Sequence, residues 1–437
     1  MDLRIRASTA VRGRLRVSGD KSYAHRALLL GGLAQGRCVL RAEIAAADVQ
    51  SSLQVMRGLG VQIERKDKEV LIEGRGLAGL CAASSPLDCG RSGTTLRLLA
   101  GLLSAAGLPA VLQAHPQLRA RPMRRILEPL QSMGAVIDSD GGRAPLRLHA
   151  HQEPLRGLVH DNQLGSAQVK SALLLAGLGA STAVVVRESR VSRRHTERML
   201  AAMGAPIEIT QDSVTLHGPF DRLQPFDFVL PSDPSSAAIF VALSVLLPES
   251  ELLLEDLLHA EERAGFVRAL QSMGAKIEAQ PRRQLFGEAV CDLHCRSSKL
   301  RGIQVGPAQV PSMIDELPLL GLAMCLADGP SELRGAGDLR SKESDRITTT
   351  VKTLRGFGAE IEELEDGWRC PGGSRLRGAA LSSSGDHRVA MLATAAAALA
   401  TGESRVGAAD CIADSYAGFL PDLQSLGLQV RAISSGS

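Results

Sequence analysis

One eight-residue pattern recurs six times along the chain, and a chain written that way is constrained to fold as six similar units. Its clearest copy is Leu270-Gln271-Ser272-Met273-Gly274-Ala275-Lys276-Ile277. The six glycines are Gly60, Gly134, Gly204, Gly274, Gly358 and Gly427, spaced by 74, 70, 70, 84 and 69 residues. Four residues before each glycine stands Met56, Leu130, Leu200, Leu270, Leu354 or Leu423, and directly before it Leu59, Met133, Met203, Met273, Phe357 or Leu426. Three residues after it comes Ile63, Ile137, Ile207, Ile277, Ile361 or Val430. Apolar residues three apart hold one face of a helix to a core, glycine takes the left-handed cap, and alternation then opens a strand. The period exceeds that of ordinary solenoid repeats. It predicts six copies of a compact α/β unit.

The 437 residues are too many for one ordinary core, so two domains are expected. With 44% hydrophobic and 22% charged residues the chain is globular in composition. Only 3% of it is aromatic, which leaves an aliphatic core and little surface for stacking bases. A net charge of +3 fits a small anionic substrate held by a local cluster better than a polyanion. No nucleic-acid partner is therefore expected. The start, Met1-Asp2-Leu3-Arg4-Ile5-Arg6, is charged and alternating, unlike a signal peptide, and Ala27–Leu33 and Leu392–Ala400 are too short to span a membrane. Eight scattered cysteines read as reduced thiols of a cytoplasmic protein. Cys291 and Cys295 flank His294, but no second pair completes a metal site and the alternation there predicts a strand.

A second recurrent item lies between the glycines: a polar cluster followed by a nearly all-apolar helix. Lys21–Arg26 precedes Ala27–Leu33, Ser92–Thr95 precedes Leu96–Leu103, and Ser166–Gln168 precedes Val169–Leu178. Asp233–Ser236 precedes Ala237–Leu247, Asp315-Glu316 precedes Leu317–Leu326, and Asp386–Arg388 precedes Val389–Leu399. Each unit thus holds one buried and one amphipathic helix with strands between. Capping accounts for the Ser, Thr and Asp of any one cluster taken alone. It does not account for Lys21, Arg26 and Arg388, because cations oppose the dipole at a helix start. Free amides plus cations there form an anion site. Three units packed around parallel buried helices would bring their N-termini to one face, and two such faces would enclose a charged crevice. Two further stretches, Arg119–Arg125 with four arginines and Arg340–Arg346 with both signs, suit acid/base work on phosphate and carboxylate substrates.

Seven motifs now stand in order: Gly19-Asp20-Lys21-Ser22-x-x-His25-Arg26, Ser92-Gly93-Thr94-x-x-Arg97, Arg121-Pro122-Met123, Ser166-Ala167-Gln168-Val169-Lys170, Arg193-x-His195-x-Glu197, Lys342-Glu343-Ser344-Asp345-Arg346 and Asp386-His387-Arg388. Together they resemble the 5-enolpyruvylshikimate-3-phosphate (EPSP) synthase family over essentially the whole chain, and the first, fourth and fifth are similar to its class II branch. The resemblance implies an α/β fold of two domains, each of three βαβαββ units (an inside-out α/β barrel). Residues 1–19 with 231–437 would form a discontinuous C-terminal domain and 20–230 the N-terminal one, with the active site in the crevice between them. It also implies a cytoplasmic monomer that moves the enolpyruvyl group of phosphoenolpyruvate onto the 5-hydroxyl of shikimate 3-phosphate, with no metal and no cofactor.

By that resemblance Lys21 bridges both substrates. Shikimate 3-phosphate falls to Ser22, Arg26, Ser166, Ala167, Gln168, Ser192, Arg193, Asp315 and Lys342. Phosphoenolpyruvate falls to Gly93, Arg121, Gln168, Arg346 and Arg388. Asp315 is the expected base at the 5-hydroxyl and Glu343 the expected acid at carbon, with Lys21 sharing the proton traffic. Two positions depart from the family pattern: Arg91 stands where asparagine is usual, and Asp414 where many members carry lysine. Gly93 leaves the space that glyphosate uses in sensitive members, whereas the class II features argue for tolerance. The sister enolpyruvyl transferases acting on UDP-N-acetylglucosamine resemble the chain less. They carry Lys-Asn where this chain has Lys21-Ser22, and a cysteine in a loop that here, His115–Arg125, has none. RNA 3′-phosphate cyclases, built on similar repeats, fit poorly with the near-neutral charge and scarce aromatics.

Overall fold

The computed structural model describes residues 1–434. The chain forms two compact units, Met1–Ser18 with the chain from Pro231 onward, and Gly19–Leu230. It passes between them at Ser18-Gly19 and again at Leu230-Pro231.

Six four-stranded sheets carry the repeat, and all have the same order. Two strands run parallel, the fourth strand of the repeat pairs antiparallel with the second, and the third lies at the edge. In the Gly19–Leu230 unit the second repeat shows the pattern plainly: Leu87–Asp88, Ala110–Gln113, Arg143–Leu148, then Ile137–Asp140. The third repeat repeats it with Leu158–Asp161, Val184–Arg187, Ser213–Leu216 and Ile207–Ile209. Three places are filled from a distance in sequence. Asp227–Val229, at the end of that unit, supplies the parallel edge strand beside Arg37–Arg41. In the other unit Arg12–Leu15 pairs parallel with Glu251–Leu258, and Asp2–Arg6 fills the fourth place between Glu403–Gly407 and Val430–Ile433. Each unit is thereby closed by its own chain ends.

The repeated glycines do what their pattern demands. Gly60, Gly134, Gly204, Gly274, Gly358 and Gly427 all have positive φ, between +85° and +105°. The residue after each donates its N–H back to the carbonyl of the repeated apolar residue: Val61 to Met56, Ala135 to Leu130, Ala205 to Leu200, Ala275 to Leu270, Ala359 to Leu354 and Leu428 to Leu423, all within 2.9–3.1 Å. This is a Schellman closure, so the helix end is satisfied internally and the strand starts at a set angle. The six amphipathic helices that end there are Ala47–Gly58, Arg124–Ser132, His195–Ala202, Gly265–Ser272, Arg346–Gly356 and Phe419–Ser425.

The apolar helices begin earlier than their apolar runs. They are Lys21–Gly32, Gly93–Ala106, Ala167–Gly177, Pro234–Leu246, Leu317–Leu326 and His387–Leu399. In all but the fifth, part of the expected polar cluster lies inside the first turns rather than ahead of the helix. The cap is one residue, Asp20, Ser92, Ser166, Asp233 or Asp386, whose side-chain oxygen accepts a backbone N–H. Cys291 and Cys295 lie buried on the strand Glu288–Arg296, and the His294 ring nitrogen pairs with Glu251. Among the described residues no helix is long and apolar enough to cross a membrane.

Packing between buried helices is tightest at Gly101, where an added Cβ would stand 2.1 Å from the Ala172 carbonyl oxygen. Backbone cannot yield as a side-chain tip can. Gly101→Ala is expected to destabilise the protein by about 1–3 kcal/mol or more, read as a lower urea midpoint at unchanged m-value.

Candidate functional site

In the Gly19–Leu230 unit three buried helices start close together, tied by side chains that reach from one start to the next. The Gln168 amide spans two of them: its oxygen accepts from Arg97 Nη1 at 2.5 Å, and its nitrogen donates to Thr94 Oγ1 at 2.9 Å. Gly93, at the first position of its helix, faces two guanidiniums. A Cβ there would lie 2.7 Å from Arg97 Nη1 and 3.3 Å from Arg121 Nη1. Amides of a helix start beside two arginines form a cradle for an anion.

Lys21 sits at the first position of its helix, with Nζ 3.0 Å from Asp48 Oδ2 at the start of the next. Ser22 gives its carbonyl to Arg26 Nη1 at 2.9 Å. Arg26 is only 4% exposed and donates further to Thr196 Oγ1 at 2.6 Å and Ser171 Oγ at 2.9 Å. All three acceptors are neutral. Burial pushes the Arg26 pKa down to about 10, with Glu197 and Asp20 opposing, so it stays charged at neutral pH. Ser166 caps the third helix, Ala167 opens it, and the Ser166 N–H is held by Asn162 Oδ1 at 3.1 Å. Ser192 is fixed from below: its hydroxyl donates to Glu188 Oε1 at 2.6 Å, and Glu188 Oε2 accepts from the fully buried Lys170 Nζ, also at 2.6 Å. Lys170 reaches Glu197 Oε1 as well, at 2.7 Å. Arg193 follows Ser192 directly and lies close enough to bear on the Arg26 charge.

Below the surface His25 Nδ1 meets Ser52 Oγ at 2.8 Å, Ser52 meets Thr95 Oγ1 at 2.7 Å, and Thr95 donates to Ser92 Oγ at 2.8 Å. This buried chain joins two helix starts. Burial, then the charges of Lys21 and Arg26, push the His25 pKa down to about 3, so the ring is neutral.

In the other unit Arg346 is the hub. It is 1% exposed; Nε donates to Asp386 Oδ2 at 2.9 Å, Nη1 lies 3.4 Å from Asp315 Oδ1, and Nη2 pairs with Glu343. Burial alone would lower its pKa, but Asp386, Glu343 and Asp315 outweigh that and raise it. Burial likewise works to raise Asp386, and the Arg346 guanidinium outweighs it, holding that carboxyl below the ordinary range. Asp386 also accepts from Ser344 Oγ and caps its own helix through the Arg388 N–H, both at 2.9 Å. Arg388 is 7% exposed; Nη1 donates to the Ser235 carbonyl at 2.9 Å, and Nε has no hydrogen-bond partner. Ser235 in turn donates to Glu316 and receives Arg263 Nη2 at 2.7 Å, which binds the three helix starts together. Lys342 Nζ stands 3.3 Å from Asp338.

Four arginines are buried among the described residues. Arg263 pairs with Asp233, and Arg346 with three acids. Among the described residues, Arg26 and Arg388 have no carboxylate within ion-pair distance. A buried cation held only by neutral acceptors is costly unless an anion arrives.

The structure therefore gathers Lys21, Ser22, Gly93, Arg121, Gln168 and Arg26 in one unit with Ser166, Ala167, Ser192 and Arg193, and Asp315, Glu343, Lys342, Arg346 and Arg388 in the other. Arg91 is exposed beside the Ser92 cap, and Asp414 ends the short helix Ala409–Asp414. The partners Asp48, Lys170, Glu188 and Asp386 were not assigned roles from the sequence. Asp386 was visible as a cap and Lys170 as a motif residue. Glu188 carries no signal of its own in the sequence, because two of its partners, Lys170 and Asn162, lie on other elements.

Comparison with known proteins gives one answer. The family model for EPSP synthase (3-phosphoshikimate 1-carboxyvinyltransferase) matches residues 5–423. A 3-phosphoshikimate 1-carboxyvinyltransferase of Geobacter sulfurreducens is 42% identical over 412 residues, covering 94% of this chain and 95% of that protein. One from Acidithiobacillus ferrooxidans is 42% identical over 434 residues, 99% of each. The solved EPSP synthase of Acinetobacter baumannii superposes with a TM-score of 0.88 at 35% identity, over 99% of this chain and 100% of that one. The enolpyruvyl transferase NikO of Streptomyces tendae shares the fold, with a TM-score of 0.79 at 18% identity over 98% of each chain.

The neutral buried His25 sets a pH dependence. Below its ordinary pKa of 6.5 the unfolded chain binds a proton that the folded protein refuses until about pH 3. Stability is therefore lost as pH falls through that window, by about 1.4 kcal/mol per pH unit from this group. Urea titrations of wild type and His25→Gln between pH 7 and pH 5 should show the shallower loss in the variant.

Proposed function

The chain belongs to the EPSP synthase family, and we propose that the side chains placed above divide its reaction between them. The reaction transfers the enolpyruvyl group of phosphoenolpyruvate to the 5-hydroxyl of shikimate 3-phosphate, giving 5-enolpyruvylshikimate 3-phosphate and phosphate in the shikimate pathway. The observation that carries the assignment is the pair of buried arginines without carboxylate partners. Arg26 takes shikimate 3-phosphate, with Ser22, Ser166, Ala167, Gln168, Ser192, Arg193 and Lys342 completing its contacts. Arg388 takes phosphoenolpyruvate, with Arg121, Arg346, Gln168 and the amides at Gly93. Lys21, whose Nζ pairs with Asp48, touches both substrates. In this reading the protein acts as a monomer. The substrates are small molecules of the cytoplasm.

The chemistry follows from what Arg346 holds. In the addition step a proton goes to the methylene carbon of phosphoenolpyruvate, and the 5-hydroxyl oxygen attacks the adjacent carbon as its own proton leaves. In the elimination step the bond from that carbon to the phosphate oxygen breaks and the methyl group gives up a proton. Asp315 is the base at the hydroxyl and Glu343 the acid at carbon, with Lys21 beside them. Both carboxylates contact the Arg346 guanidinium. An arriving substrate anion competes for that guanidinium and releases them for proton transfer.

Phosphate release from phosphoenolpyruvate tests the reading, with shikimate 3-phosphate or UDP-N-acetylglucosamine as acceptor. Release should require shikimate 3-phosphate and fall by about 10²-fold or more in Lys21→Met and in Asp315→Ala. Undiminished release in both variants would remove these residues from the mechanism.

A further inference from the structure

The opposite ends of the buried helices in the unit containing Pro231 and beyond do not close as their repeats predict. Between the last strand of one repeat and the first of the next runs a connector with the sequence Leu-Arg-Gly. It occurs as Leu155-Arg156-Gly157, Leu300-Arg301-Gly302 and Leu376-Arg377-Gly378. The leucine plugs the helix ends, buried to 1%, 5% and 4% exposure respectively. Its carbonyl accepts the N–H of a residue just past a buried helix: Ser181, Asp328 and Thr401 in turn. Leu223 does the same for Gln35. The connector from Asp2–Arg6 to Arg12–Leu15 breaks the rule. Counting back from its strand, the residue in the leucine's place is Ser8, in Ser8-Thr9-Ala10.

A pocket of about 770 Å³ opens there, lined by Ser8, by leucines at the ends of three buried helices (Leu247, Leu326 and Leu399), and by the plugs Leu300 and Leu376. The Ser8 hydroxyl is buried and has no hydrogen-bond partner. Three cations stand on the rim, Lys299, Arg301 and Arg375, with one acid, Asp328. Among the described residues none of these four side chains makes an ion pair, whereas most arginines of the unit do. Cations near helix C-termini are favourable in themselves. That explains their sign, but neither the missing plug nor the orphaned hydroxyl.

We infer that this pocket is a binding site for a small carboxylate with an apolar body, its hydrocarbon on the leucines, its carboxylate on Arg301, Arg375 and Lys299, and the Ser8 hydroxyl as a further polar contact. An apolar floor with a few convergent polar groups is the usual make-up of such sites, and the volume is within their range. The pocket lies at the far ends of the helices whose starts carry Asp233, Glu316 and Asp386, about 15–20 Å away along helices of 13, 10 and 13 residues. Its occupation is therefore independent of the residues assigned to the reaction.

The test uses 3-phenylpropionate as the probe on the full-length protein, followed by titration calorimetry and saturation-transfer NMR. Binding at about 1 mM or tighter is expected, with at least about tenfold weaker binding of 3-phenylpropan-1-ol, which has the same body without the charge. Ser8→Leu restores the plug and should abolish binding. Arg301→Ser with Arg375→Ser, exposed and remote from any core, should weaken it at least about tenfold and keeps the test open should Ser8→Leu fail to fold. Turnover in the rim variant should match wild type. No binding of 3-phenylpropionate to wild type at about 10 mM, equal binding of the alcohol, or equal binding to the rim variant would overturn the assignment.

Discussion

Two buried guanidiniums without carboxylates are the constraint on which the rest of this structure depends. Taking a cation out of water is among the most expensive things a fold can do, and most proteins avoid it by pairing. Here Arg263 and Arg346 are paired and Arg26 and Arg388 are not, although all four lie in comparable burial. Arg26 is held in place by two hydroxyls and a carbonyl, Arg388 by one carbonyl. Such acceptors orient a guanidinium without neutralising it. The charge left over is what an anionic substrate binds, and part of the protein's stability is given up to keep it available.

The fold supports that arrangement through its repeat. Six Schellman closures set where each amphipathic helix stops, which sets where the following strands begin, and the sheets then hold the buried helices parallel within each unit. Parallel helices put their amide ends together. Capping by Asp20, Ser92, Ser166, Asp233 and Asp386 satisfies one or two amides at each start and leaves others to ligands. The cross-links Gln168–Arg97, His25–Ser52–Thr95 and Ser235–Glu316 then fix the starts against one another.

Much of this was legible in the sequence, and for identifiable reasons. The glycine pattern was readable because the requirement for positive φ is local and tolerates no substitute with a side chain. The cations at helix starts were readable because they stand against the dipole. What failed to show was long-range. Strands of three to five residues such as Asp227–Val229 and Asp2–Arg6 carry too little pattern to name a partner some two hundred or four hundred residues away. The helix starts were placed a turn late because polar residues inside a helix imitate a cap. Glu188, which holds Ser192 directly, is an unremarkable acid until the fold brings Lys170 and Asn162 onto it as well. The missing leucine at Ser8 becomes visible only once the connectors are aligned on their strands.

The most direct measurement is a paired one on Arg26→Met: the affinity for shikimate 3-phosphate by calorimetry, and the melting temperature of the ligand-free protein. If Arg26 is a buried charge kept for an anion, affinity falls by about 100-fold or more. Melting then stays within about 3 °C of wild type or rises, because removing an unpaired buried cation offsets the lost hydrogen bonds. Affinity near that of wild type, together with a melting temperature lowered by about 10 °C or more, would show instead that Arg26 is a structural residue and would contradict the account.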